Sequence, residues 1–238
     1  MKIKQFVKKI SNFDLNEDSR NKWLARVLKD IPENLKILDA GAGELRNKPL
    51  CEHLEYMSQD FCQYDGSGDK SGLQTGTWDT SKIDVVSDIA SIPLPDASFD
   101  VILCSEVFEH LADPLKAIAE FSRLLKPKGT LIITAPFASF VHFAPHHYAT
   151  GFSRYWYEYH LSEADFAIKE LSTNGNWFSY VRQEMFRLPG MARDQRVWHW
   201  PLAYLIGVMS ALYLSSFSDV RKTDEFACFG WHCVATKQ

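Results

Sequence analysis

The side chains most able to do chemistry form four polar stations and one group of histidines. Lys36 to Glu44 reads KILDAGAGE, an apolar run leading straight into Asp39-x-Gly41-x-Gly43. Glycines at such a turn let the backbone bend tightly and approach a ligand that a Cβ would push away. Dinucleotide-binding turns lay a pyrophosphate there and carry a third glycine. This chain has Arg46 at that place and an acid before the turn. A carboxylate in that position suits a cationic or zwitterionic ligand better than a phosphate. Asp60 follows 21 residues later at the end of EYMSQD, where an acid can accept both hydroxyls of a ribose. Asp65 competes for that role, and either acid can instead serve a loop. Asp88 closes a third apolar run, placed to accept from an adenine amino group while Ile89 packs the ring. The fourth station, ILCSEVFEH, carries Cys104, Ser105, Glu106, Glu109 and His110 at the end of a strand.

The histidines concentrate further on. Residues 137–160, FASFVHFAPHHYATGFSRYWYEYH, hold nine aromatic residues and four of the eight histidines. Rings interleaved with His142, His146, His147, Arg154 and Glu158 describe a pocket wall whose faces suit sugar rings, and equally a packed aromatic core. Histidine is the residue whose pKa best suits a base at neutral pH. His110, His142, His146 and His147 are therefore candidate bases, with Glu106 and Glu109 behind them. His142-x3-His146-His147 also has metal-ligand spacing, but no cysteine or paired acid completes the set, so no metal is expected.

These stations need a scaffold that brings strand ends together. From Leu35 onward, short apolar runs alternate with amphipathic segments, the pattern of βαβ units and a mostly parallel sheet. The strand candidates are 35–40, 55–60, 83–87, 99–104 and 130–135, with a last one over 227–236. Pro114 to Leu125 repeats apolar residues at helical spacing, with Asp113 as N-cap and Lys126-Pro127-Lys128-Gly129 as the stop. Residues 161–171 read as a further helix that runs into a strand. Between Tyr64 and Lys82 the chain is rich in Gly, Ser and Thr and promises a loop.

The 238 residues, 46% hydrophobic and 24% charged, exclude a disordered or collagen-like chain and can bury a large core. The net charge of −4 offers no basic stripe for a nucleic acid. Five cysteines without a CxxC pair read as reduced thiols. The basic N-terminus lacks an apolar core, so a cytoplasmic protein without a secretory signal is expected. From Val197 to Ser218 no charged residue occurs, which meets the length test for a membrane span. A span there would strand the last β-strand across the bilayer. A helix buried against the substrate segment or a second copy is expected instead, with peripheral membrane contact and a homodimer left open.

In this order, the four stations resemble the class I S-adenosylmethionine-dependent methyltransferases, and most nearly their small-molecule, type 11-like group. The resemblance is carried by residues 33–137 through LDAGAGE, Asp60, SDIASIPLPDASFDVI, SEVFEH and LKPKGTL. It implies an α/β, Rossmann-like, seven-stranded, mostly parallel sheet of order 3-2-1-4-5-7-6 with helices on both faces. It also implies S-adenosyl-L-methionine as cofactor. By the resemblance, Asp39, Gly41 and Gly43 line the methionine moiety, Asp60 the ribose, and Asp88 with Ile89 the adenine. Cys104 and Ser105, with Glu106, border the sulfonium side.

The expectation is one methyltransferase domain over 1–238. It has an N-terminal helical segment (1–32), a substrate segment (137–160) and a helical insertion at about 180–222. The expected reaction is methyl transfer to an O or N atom of a small polar acceptor, with a sugar or sugar-derived metabolite as the narrower choice. The competing reading is a catalytically silent cofactor-binding subunit. An NAD-dependent oxidoreductase, which shares this sheet, is disfavoured by the missing third glycine.

Overall fold

The computed structural model describes residues 15–217, 220 and 223–238. The first part of the expected N-terminal segment, residues 1–14, lies outside them. Its remainder is helix α1, Leu15–Lys29. Seven strands follow: β1 (Lys36–Ala40), β2 (Glu55–Asp60), β3 (Val85–Val86), β4 (Phe99–Ser105), β5 (Leu125–Pro136), β6 (Phe166–Asn174) and β7 (Gly230–Lys237). They form one sheet in the order β3-β2-β1-β4-β5-β7-β6, the expected topology. The pairs β1–β2, β1–β4, β2–β3 and β4–β5 are parallel, and β7 runs antiparallel to β5.

The central strands form where the sequence clusters β-branched and other apolar residues, because a parallel sheet covered on both faces needs apolar side chains along its middle. Ile37, Val101, Leu103 and Ile132 are buried in one cluster with Trp23, Leu24, Val27 and Leu28 of α1. Their strand neighbours Leu38 and Ile102, also fully buried, point to the opposite face. Helix α2, Pro114–Leu124, begins where Asp113 accepts from the Leu115 N–H, with Pro114 at its first position. Ala117, Ile118, Phe121 and Leu124 are its buried stripe.

Two boundaries differ from the sequence reading. The helix read at 161–171 is instead α3, Arg154–Glu163, and the chain turns at Asp165 (φ 61) into β6. The aromatic-rich RYWYEYHLSE has no clean amphipathic stripe to announce it. The third strand keeps only Val85–Val86, since Asp84 caps it by accepting from the Ser58 N–H and hydroxyl.

The described residues cluster into two compact units, one within 1–22 and 173–229, the other 23–172 with 230–238. The first contains the helical insertion as a hairpin of α4 (Trp177–Asp194) and α5 (Trp200–Leu214). Asn176 caps α4 by accepting from the Ser179 N–H and donates its amide to the Phe217 and Val220 carbonyls. The helices meet at Gly207, where a Cβ would lie 2.5 Å from the Met185 carbonyl oxygen. Only Gly207 and Ala211 of α5 are buried, and Leu202, Leu205, Ile206, Met209 and Tyr213 are exposed. Over Trp200–Phe217 the mean hydropathy is 1.3, so this helix is long and apolar enough to cross a membrane by length and composition.

Candidate functional site

Every expected cofactor residue falls at the carboxyl end of β1, β2, β3 or β4 or in the turn that follows, the edge at which open α/β sheets bind ligands. Asp39 is buried at 1% exposure. Its Oδ2 accepts from the Tyr56 hydroxyl at 2.8 Å and the Asn47 amide at 3.5 Å. Tyr56 reaches it because it pairs in register with Ile37, two residues before Asp39 on the same face. Asp39 Oδ1 is buried without a hydrogen-bond partner. Burial raises its carboxyl pKa to about 6, although the Tyr56 and Asn47 hydrogen bonds oppose the rise. An unpartnered, buried carboxylate oxygen beside a glycine turn is what a cationic amino group needs, so these residues fit the amino-acid end of S-adenosylmethionine.

The turn itself is held by the second acid. Asp60 Oδ2 accepts from the Gly43 N–H at 3.0 Å and Oδ1 from the Cys62 N–H at 2.8 Å. Each oxygen keeps a further lone pair for a ligand hydroxyl. Asp65 is committed to its own loop, accepting from the Ser67 and Gly68 N–H groups. Gly41 has φ +75, and a Cβ there would lie 2.5 Å from Val107 Cγ2. At Gly43 (φ +51) a Cβ would meet the Trp78 ring. Asp88 is exposed and accepts from the Ala90 N–H, while Ile89 beside it is buried.

At the end of β4 the hydroxyls form a directed chain. Thr134 donates to Glu106 at 3.0 Å, so Ser105, 2.8 Å from the same oxygen, donates to Thr134. Glu106 has φ 56, a left-handed conformation that a non-glycine residue adopts at some cost. Cys104 is buried and its thiol is pushed well up by burial. All five cysteines are free thiols.

The aromatic segment 137–160 divides into parts. Phe143 stacks on Tyr64 at 4.2 Å and meets Trp78 edge-on at 4.8 Å, so the Gly/Ser/Thr-rich loop contributes two rings to this cluster. Phe152, Trp156 and Tyr157 instead pack with Phe108 as core. Tyr148, Tyr155 and Tyr159 are exposed. Trp200 and Tyr204 line a cleft of about 260 Å³ with Phe186, Pro189 and Arg193 of their own hairpin.

The histidines regroup in a way their spacing does not show. His110 and His142 rings lie 4.6 Å apart, and His147 lies 5.0 Å from His142. The His146 ring turns edge-on to Phe61, and its carbonyl accepts from His110. Burial first, then the neighbouring His142, pushes the His110 pKa down to about 3. Tyr56, Tyr64, Trp78 and Thr134 escaped the sequence reading. Only strand register offers a signal, and only for Tyr56.

A sheet of this order with an acid, a glycine turn and a second acid at its carboxyl edge is the arrangement that the resemblance to class I S-adenosylmethionine-dependent methyltransferases implies. Residues 38–133 match the family model described as a methyltransferase domain, and this match with the relatives below supports a class I S-adenosylmethionine-dependent methyltransferase with S-adenosylmethionine as cofactor. A probable S-adenosylmethionine-dependent methyltransferase of Mycobacterium tuberculosis is 29% identical over 103 residues, 42% of this chain and 35% of that protein. The chain thus spans about a third of that relative's length. Among solved structures, a putative sarcosine dimethylglycine methyltransferase from Galdieria sulphuraria aligns over 92% of this chain and 85% of its own. Its TM-score is 0.54 and its identity 15%. The (4+2)-cyclase SpnF aligns over 90% of this chain and 79% of its own, with TM-score 0.55 and 17% identity. At such identities the likeness concerns the fold alone.

Proposed function

We propose that the chain moves the methyl group of S-adenosylmethionine to an oxygen or nitrogen of a small polar acceptor, with a sugar or sugar-derived metabolite as the narrower choice. The observation that carries this is the buried Asp39 carboxylate, one oxygen unpartnered, beside the Gly41–Gly43 turn. In this reading Asp39 accepts from the cofactor's ammonium, Asp60 from its ribose hydroxyls, and Asp88 from the adenine amino group over Ile89. Cys104 and Ser105 border the sulfonium.

When bound, the cofactor supplies an already activated methyl group. What remains for the protein is alignment, exclusion of water and, for a hydroxyl acceptor, a base. His110, His142 and His147 stand together beside Phe143 and supply that base, with Glu106 and His146 as the other candidates. The Tyr64–Trp78–Phe143 cluster supplies ring surface for the acceptor.

The test is incubation with S-adenosylmethionine and a panel of hydroxyl and amine acceptors, reading release of S-adenosylhomocysteine. Acceptor-dependent release is expected. Cofactor binding without release on any acceptor would overturn the enzymatic reading and leave a binding subunit, an outcome to take seriously because the fold also serves a cyclase.

A further inference from the structure

We infer that His110, His142 and His147 form a site for a divalent transition-metal ion of the zinc class, with Glu109 as the adjoining carboxylate. One ligand atom from each of the three histidines lies within 4.8 Å of the other two. Nitrogens bound to a tetrahedral zinc stand about 3.4 Å apart, so side-chain shifts of about an ångström close the set.

The tautomers point the same way. His110 Nδ1 lies 2.6 Å from the His146 carbonyl oxygen, and His142 Nδ1 lies 2.8 Å from the Phe140 carbonyl oxygen. A carbonyl only accepts, so both Nδ1 atoms carry the proton and both Nε2 atoms carry a lone pair when the rings are neutral. Metal-binding histidines are oriented by such an outer hydrogen bond. These two Nε2 atoms lie 3.7 and 3.8 Å from the same oxygen, Oε1 of Glu109, which is 1% exposed. Two lone pairs and a carboxyl oxygen thus converge on one space, the donor arrangement a divalent cation needs. His147 supplies an independent observation: both of its ring nitrogens are buried, and neither has a hydrogen-bond partner.

Three imidazoles with one carboxylate favour zinc, cobalt or nickel over magnesium or calcium, which prefer all-oxygen ligands. His110 follows β4 and the other two follow β5, so the site stands at the carboxyl edge of the sheet. The ion site rests on this geometry alone. Only its use in catalysis, where the ion would hold and acidify an acceptor hydroxyl in place of a free histidine base, rests on the methyl-transfer reading.

The experiment uses full-length, tag-free protein stripped with chelator and then titrated with Zn²⁺ and with Co²⁺, in the absence of S-adenosylmethionine. One equivalent of Zn²⁺ is expected, together with the visible absorption of tetrahedral Co²⁺. His147→Ala and His142→Ala are each expected to weaken zinc binding about tenfold or more and to remove the cobalt absorption. His199→Ala, in the α4–α5 hairpin, is expected to bind as wild type does. Thermal melts of the metal-free variants establish that each is folded, with His147→Gln standing in for an unfolded His147→Ala. Failure of the wild type to take up an ion, or wild-type affinity in His142→Ala or in the folded His147 variant, would overturn the site. Neither result touches cofactor binding, which a separate S-adenosylhomocysteine titration reads.

Discussion

A carboxyl buried like Asp39, with a pKa near 6 in the folded chain, makes stability depend on pH in an uncommon direction. The native state holds a proton that the unfolded chain, near 3.8, has already released. Stability therefore falls as pH rises from about 4 to about 6 and levels off above, by on the order of 3 kcal/mol in all. Asp39→Asn is expected to remove that fall, giving a higher urea midpoint than wild type at pH 7 and no advantage near pH 4. Superimposable pH profiles would contradict the burial argument. In the proposed role the same carboxylate is ionised when it receives the ammonium, so S-adenosylhomocysteine affinity is expected to drop as pH falls through 6. Gly41 makes a second residue-scale case. Gly41→Ala combines φ +75 with a 2.5 Å approach to Val107 and is expected to cost about 1–3 kcal/mol. Adding Val107→Ala relieves the contact but not the dihedral, so partial rescue in a thermal melt is the expected result.

Among the elements, α2 pins the loop that follows Asp88. Glu120 accepts from the Ile92 N–H, and Arg123 donates to Glu120, to Asp96 and to the Ile92 and Leu94 carbonyls. The Arg123 hydrogen bond holds the Glu120 carboxyl below its ordinary 4.5, so the ionised pair stabilises above that pH and the contribution fades as pH falls. Arg123→Ala is expected to cost about 1–3 kcal/mol at neutral pH, and less in acid, by chemical denaturation at pH 7 and pH 3. Helix α5 calls for the opposite result. Leu205 and Met209 are 58% and 59% exposed, so replacing either with Lys is expected to leave the melt within about 0.5 kcal/mol of wild type. The elements legible in the sequence are those whose pattern follows from burial. β1, β4 and α2 declare themselves by short apolar runs or a clean helical stripe. α3 did not, because Tyr155 and Tyr159 face solvent while Trp156 and Tyr157 pack inward, leaving aromatic residues on every side. For α5, apolar composition alone does not say what covers it.

For the molecule as a whole, the strand-end positions of the proposed cofactor residues were readable because each follows a strand candidate, and strand order brings strand ends together. The histidine group was not readable. Local spacing selects His142, His146 and His147, whereas the fold exchanges His146 for His110, 32 residues before His142, through packing between the connections after β4 and after β5. Trp78 and Tyr64 are hidden for the same reason, since they reach Phe143 from a loop with no periodicity. The measurement that bears most directly on the central claim is a calorimetric titration of S-adenosylhomocysteine at neutral pH into wild type and into Asp39→Asn. The account expects one molecule bound per wild-type chain and affinity weaker by about tenfold or more in the folded variant. A wild type that binds nothing, or a variant that binds equally well, would contradict it.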